Sequence, residues 1–247
     1  MEVDLLFLAV AGAMVFVAAI AQSLTGFGFA LVLAPLLSLV WEPRHVVVAS
    51  TVLNAVLSLS VTLGNRKSVS FGKVGLMLAG ALAGIPLGML VLAKLDPNPL
   101  RILIGVVVTV LGALVYFGVT RPLKRERLWL VVSGVVSGIL HASTSMGGPP
   151  VVLCLMGQGY SKEVVRGTLL GFFGPLSVLT VVGFWMGGLV QVEALAVGVA
   201  VLPALVVGTW VGASAFKWAP IGVYRALVAI LITVAGILSI LTGLRGV

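Results

Sequence analysis

Two stretches of this chain place hydrogen-bonding side chains beside helix breakers inside otherwise apolar sequence. The first is Gln22-Ser23-Leu24-Thr25-Gly26-Phe27-Gly28, running on through Phe29 to Pro35. The second is His141-Ala142-Ser143-Thr144-Ser145-Met146-Gly147-Gly148, followed by Pro149 and Pro150. Glycine ends a helix readily, and proline suits the first turn of one, where its missing N–H is no loss. Each stretch is therefore read as the end of one helical piece and the start of another. A helix start carries free N–H groups and the positive end of its dipole, which is the chemistry of anion binding. Two such starts, one in each half of the chain, make a candidate site for a small anion.

The candidate contacts are Gln22, Ser23, Thr25, Gly26 and Gly28 at the first break, and His141, Ser143, Thr144, Ser145, Gly147 and Gly148 at the second. Asn54 and Arg166, in the spans that follow each break, complete the set. Competing roles exist for several of them. Gln22, Ser23 and Thr25 can cap helix ends, Asn54 can join helices, and Arg166 can anchor a span at its basic side. His141 is expected to meet the anion as a cation, with proton carriage or a structural hydrogen bond as the other outcomes. The strings Gly80, Gly84, Gly88 and Gly208, Gly212 allow close helix packing. Phe27, Phe29, Phe172, Phe173 and Trp185 read as packing or lipid-facing residues.

Other chemistries fit poorly. Ser137 and His141 lie one helical turn apart, but a serine hydrolase wants a third group to orient its base, and the expected spans hold no Asp or Glu beyond Asp4 and Glu193 at the outer ends of theirs. Cys154 is the only cysteine and there are two histidines, so no internal disulfide and no metal-ligand set is expected. No cofactor is expected either. A channel is the nearest rival, since Thr25-Gly26-Phe27-Gly28 has the look of a carbonyl filter. Such filters need several copies around an axis, and here the two breaks differ.

The elements that position these residues must be membrane spans. Of 247 residues, 60% are hydrophobic and only 9% charged, against roughly 25% charged in soluble domains. The mean hydropathy is +1.25. The start carries Glu2 and Asp4 without Lys or Arg, so it is read as a first span and not as a cleaved signal. Crossing roughly 30 Å of hydrocarbon takes about 20 apolar residues. By that measure the segments are Val3–Leu24, a short Phe27–Val40, His45–Leu63, Lys73–Leu95, Pro99–Val119, Leu128–Ala142, a short Pro149–Gly157, Val164–Met186, Val192–Phe216 and Ile221–Leu244. Merging the two short segments with their neighbours gives eight crossings instead of ten.

The chain also repeats itself. At an offset of 124 residues Gly84 meets Gly208, Gly88 meets Gly212, Arg101 meets Arg225, Thr109 meets Thr233 and Gly112 meets Gly236. The two breaks align at an offset near 120. Over ten alternating segments one side collects eleven basic residues, from Arg66 and Lys67 through the linker TRPLKRER to Arg225, and the other side four. That bias places the N-terminus outside. Five segments per half then gives the halves opposite orientation. The expected fold is an all-α polytopic membrane protein of two inverted repeats, 1–119 and 128–247. A cytoplasmic linker, 120–127, joins them, and the broken helices meet near the midplane, as in secondary transporters. The basic excess of +8 lies in short loops, so nucleic acid is not an expected partner. The lipid bilayer and a small anion are, and a second copy of the chain is a candidate for a homodimer.

These landmarks resemble the sulfite exporter TauE/SafE family over essentially the whole chain. The resemblance rests on the Thr25-Gly26-Phe27-Gly28-Phe29 break, the Gly-Pro break after the central basic loop, and Arg166-Gly167-Thr168 beyond it. It implies a permease for sulfur-containing anions, sulfite or organosulfonates, in the bacterial inner membrane. An ion-conducting pore is the alternative and an intramembrane hydrolase a weaker one. Direction, coupling and exact substrate stay open. A negative interior expels anions at roughly 2.3 kcal/mol per charge per 100 mV, so export needs no coupling ion whereas uptake does.

Overall fold

The computed structural model describes residues 4–64, 66–116, 124–156, 158 and 160–216, together with positions 237, 240, 241 and 244. Half of the basic linker, 120–123, nearly all of the expected last span, and the counterpart residues Arg225, Thr233 and Gly236 lie outside the described residues. Every regular element among the described residues is helical. They run α1 Leu5–Thr25, α2 Phe29–Leu37, α3 Pro43–Gly64, a 3-10 turn Arg66–Ser68, α4 Phe71–Lys94 and α5 Pro97–Tyr116 in the first half. The second half holds α6 Glu126–Thr144, α7 Gly148–Met156, α8 Lys162–Met186, α9 Val192–Ala200 and α10 Leu202–Ala215. Helices α1, α3, α4, α6 and α8 are each long and apolar enough to cross a membrane. The chain is a polytopic, all-helical membrane protein.

The expected span Val192–Phe216 is not one helix. It divides at Val201 into α9 and α10, bent by 52°. Pro203, in the first turn of α10, explains the division. In a straight helix it would leave the carbonyl of Val199 without a donor, and its ring would press on that carbonyl. A hydropathy window sees one apolar run because proline hardly changes the average.

The two short helices do not continue the crossings begun by the helices before them; they turn back. Trp41, four residues past α2, lies against Phe7 near the start of α1, with ring centroids 5.5 Å apart. Since α1 is 21 residues long, or about 31 Å, the chain must enter along α1, reverse at the break, and return along α2. The second half does the same from the opposite end of the bundle. Tyr160, four residues past α7, donates from its hydroxyl to Glu126 Oε1 at 2.7 Å, at the first residue of α6. Lys73, at the start of α4, donates to the same carboxylate and also to the Tyr160 hydroxyl at 2.6 Å. Arg44 and the end of α4 mark the other end of the bundle, where Arg44 donates to the carbonyl of Leu95 at 2.8 Å.

Glycine sets how closely these helices approach. Along α4, a Cβ added at Gly80, Gly84 or Gly88 would fall 2.1, 2.2 and 2.3 Å from the carbonyl oxygens of Val131, Val135 and Ile139 on α6. Along α10, one at Gly208 or Gly212 would fall 2.5 and 2.8 Å from the carbonyls of Phe16 and Ile20 on α1. Backbones in direct contact exclude any side chain, which is what small residues achieve where no hydrophobic effect drives helices together. Leu82, Leu87 and Leu90 on α4 are more than half exposed, as a lipid-facing side would be. α3 and α8 pack on each other between the two glycine-lined pairs.

Candidate functional site

The first break is built by two glycines in left-handed backbone. Gly26 ends α1 at φ 86 and donates its N–H to the carbonyl of Gln22 at 2.7 Å, while Gly28 opens α2 at φ 103. An L residue pays steric energy there and glycine does not. Gly26 has a second reason to lack a side chain, because a Cβ would sit 2.8 Å from the carbonyl oxygen of Arg166 on α8. A Cβ at Gly28 would meet nothing closer than Thr25 Oγ1 at 3.9 Å, so that position opens onto free space. The second break reaches the same reversal differently. Ser145 takes the left-handed position at φ 63 and donates its N–H to the carbonyl of His141 at 2.8 Å. Gly147 is small because α6 passes against it: a Cβ would lie 2.6 Å from Ser137 Oγ, and that hydroxyl donates to the Gly147 carbonyl at 2.6 Å. Gly148 lies under the ring of Phe27, 3.1 Å from where its Cβ would be. The tip of one hairpin thus rests on the tip of the other.

Between the tips is a small cavity lined by Gln22, Gly28, Asn54, Ser145, Gly148 and Phe173, with Phe27, Met146 and the first turn of α2 completing the wall. It has room for about one water molecule. The starts of α2 and α7 both reach it. Gln22 organises the first of these. Its Nε2 donates to Asn54 Oδ1 and to Ser58 Oγ, both at 2.7 Å, and its Oε1 accepts from the Phe29 N–H at 3.1 Å. The next two amides, Ala30 and Leu31, have no intrahelical acceptor. Ser58 donates to Asn54 Oδ1 at 2.8 Å. Asn54 is only 3% exposed, and its amino group makes no hydrogen bond among the described residues.

Of the expected contacts, Gln22, Gly28, Asn54, Ser145 and Gly148 line the cavity. The others are not among its lining residues. Ser143 and Thr144 donate back to carbonyls of their own helix, to Ile139 and Leu140 at 2.8 Å each. Thr25 donates to the carbonyls of Ala21 and Phe27 across the first break. Ser23 offers its carbonyl to Arg166 Nε at 2.6 Å, and the Arg166 guanidinium lies 4.3 Å over the ring of Phe216. His141 is fully buried one layer behind the cavity. Its Nε2 is 3.1 Å from Ser177 Oγ and its ring packs on Phe173, which faces the space. Ser137, one turn from His141, donates to Gly147 instead of pairing with the imidazole.

Some contributors escape a residue-by-residue reading of the sequence. Thr51, Asn54 and Ser58 are spaced so that one face of α3 carries all three. Thr51 donates to Ser145 Oγ at 3.2 Å, at the second tip, while Ser58 and Asn54 hold Gln22, at the first. On α8, Arg166 and Ser177 likewise tie to the first and second tips. The polar stripe of α3 was visible as a spacing; that Phe173 and Met146 line the cavity follows only from the fold.

The profile of the family described as "Sulfite exporter TauE/SafE" matches residues 11–239. No curated protein and no solved structure matches the chain.

Proposed function

Since the chain belongs to the sulfite exporter TauE/SafE family, a family of membrane transporters and not of enzymes, we propose that it is a secondary transporter with its substrate site at the two hairpin tips. A small sulfur oxyanion, sulfite or an organosulfonate, is held between the tips and passed across the bacterial inner membrane. The observation that carries this reading is the convergence of two helix starts and the amino group of Asn54 on one cavity. These donors are uncharged and fixed, which suits an anion that must be both bound and released. With room for about one water, the cavity is closed around its occupant's position. Admitting an anion of four heavy atoms requires the tips to part, as expected of a carrier and not of an open pore.

The proposed movement is that of two inverted halves. Three arrangements support it. The hairpins α1–α2 and α6–α7 open at opposite ends of the bundle, as Phe7 with Trp41 and Glu126 with Tyr160 mark. The pair α4–α6 is mirrored by α10–α1 when the halves are exchanged, and α3–α8 exchanges with itself. Gly84 and Gly88 meet α6 as Gly208 and Gly212 meet α1. Rocking one half on the other would expose the tips to each side in turn.

A bound anion stabilises the folded chain by mass action, by about 2.7 kcal/mol at a hundredfold excess over its dissociation constant. Sulfite should therefore raise the melting temperature of the purified protein in a saturable way. An unchanged melting temperature at every sulfite concentration would remove the site.

The orientation gives a second test. Arg125 lies in the basic linker, and the native Cys154 is buried. An Arg125→Cys protein should resist an impermeant thiol reagent in intact cells and label only after the membrane is opened. Labelling from outside would reverse the topology.

His141 is proposed to support Phe173 at the back of the site. Gln can keep a bond to Ser177, so His141→Gln should carry sulfite with the wild-type KM and pH profile. A raised KM with loss of a pH dependence near about 6–7, where histidine titrates, would instead put the imidazole on the anion.

A further inference from the structure

We infer that the basic end of the bundle, at the start of α6, is a binding surface for an anionic phospholipid of the adjoining leaflet. Arg125 and Arg127 meet its phosphate, and Leu128 and Trp129 lie beside the upper part of its chains. This surface is a helix length from the hairpin tips, about 28 Å for the 19 residues of α6. It does not depend on which anion the chain carries.

Positive charge is left over at this end once the internal pairing is complete. Lys73 and the Tyr160 hydroxyl both donate to the Glu126 carboxylate, and Lys73 also lies 4.3 Å over the Tyr160 ring. That carboxylate is committed to α4 and to the end of the second hairpin. The other acid described at this end is Glu163, in the first turn of α8. Against these two stand Lys124, Arg125 and Arg127 around the start of α6, with Arg66 and Lys67 in the turn before α4, all exposed. Among the described residues none of the five joins an ion pair. The opposite end of the bundle disposes of its arginines differently. Arg44 donates to the carbonyls of Ala93 and Leu95 at the end of α4, and Arg101 to the carbonyl of Ser38 at the end of α2. Backbone acceptors engage the arginines there, whereas the basic end offers its own to an outside anion.

The apolar surroundings name the kind of anion. Arg125, Trp129, Val132 and Val136 recur at steps of three and four residues, so one face of α6 carries them. Leu128, Trp129, Val132 and Val136 are all exposed, and on a membrane-spanning helix exposed apolar residues meet acyl chains. Trp129 is one turn below Arg125, about 6 Å along the axis. At that depth an indole N–H reaches the headgroup region while its ring stays among the chains. On α4, Phe71 is exposed two residues before Lys73, and a Cβ at Gly72 or Gly75 would meet nothing within 4 Å, so the first turns of that helix are open to lipid as well. Guanidinium groups match a phosphate with paired N–H donors. A soluble phosphate would use those donors alone; a phospholipid uses them and the apolar face below.

Purified full-length protein in a neutral detergent can be titrated with phosphatidylglycerol, or with phosphatidylcholine of the same chains, while its melting temperature is read. A lipid that binds the folded chain stabilises it by mass action. Phosphatidylglycerol should raise the melting temperature in a saturable way, and phosphatidylcholine at the same concentrations should not. Each basic side chain at an anionic headgroup is worth about fivefold in affinity. The protein carrying both Arg125→Gln and Arg127→Gln should therefore need about thirtyfold more phosphatidylglycerol for the same rise, and Arg127→Gln alone about fivefold more. Lys94→Gln, at an exposed basic residue of the opposite end, should titrate like the wild type. Equal responses to the two lipids, a double variant that titrates like the wild type, or an equal loss in Lys94→Gln would overturn the inference. So would inorganic phosphate that abolishes the effect of phosphatidylglycerol, since the arginines would then serve a soluble anion. Sulfite flux is a separate measurement, and its failure would leave this surface standing.

Discussion

Gly28→Val should lower sulfite transport at least about a hundredfold, the loss that follows from displacing a bound substrate by as little as 1 Å. Two effects act together. Gly28 sits at φ 103, where a β-branched residue is an outlier and the strain costs of order 1–3 kcal/mol. Its Cβ position also meets nothing closer than 3.9 Å, so the added side chain projects into the space between the tips. The helices that hold the hairpin in place are untouched: the glycines against the α6 backbone, the contact of α1 with α10 and the Gln22 bonds to α3 all remain. Membrane levels and elution in detergent should therefore match the wild type. Wild-type flux in this variant would mean that Gly28 only packs and that the anion passes elsewhere.

Asn54→Asp should raise the KM for sulfite at least about a hundredfold, or about 3 kcal/mol, because like charges brought together cost several kcal/mol. The substitution is isosteric. A carboxylate oxygen can still accept from Gln22 and Ser58, as Oδ1 does at 2.7 and 2.8 Å. What changes is the amino group, which becomes a second acceptor bearing charge. The effect should fall on KM, with the protein folded and inserted. An unchanged KM would take Asn54 out of the site and leave it as the link between α1 and α3.

The parts of this fold that were legible in the sequence are those that a local feature dictates. The paired glycines at 26 and 28, and the glycine and proline run from Gly147 to Pro150, announced helix ends within apolar sequence, and helix ends are where the structure has them. The reversal of the chain was one of two readings, ten alternating segments against eight merged crossings. A break that continues a crossing and one that turns back use the same residues, and only the contacts of Trp41 with Phe7 and of Tyr160 with Glu126 distinguish them. Pro203 was in plain view, yet averaging over a span hid the bend it imposes. At the candidate site, polar residues near the breaks gather around one cavity, but which of them line it depends on rotation. Ser143 and Thr144 face their own helix carbonyls, while the adjacent Ser145, in left-handed backbone, reaches the cavity. Arg166 looked like a ligand or an anchor, and its bond to the Ser23 carbonyl gives it a third part, holding the end of α1.

Flux of labelled sulfite in proteoliposomes of the purified chain, read with and without an imposed membrane potential, tests the central claim most directly. Saturable flux is expected, faster when the potential drives the anion out of the compartment, lost in the Gly28→Val protein and strongly reduced at sub-saturating sulfite in the Asn54→Asp protein, each reconstituted at equal density. Flux no greater than in protein-free liposomes would contradict it, as would a conductance that rises with sulfite without saturating.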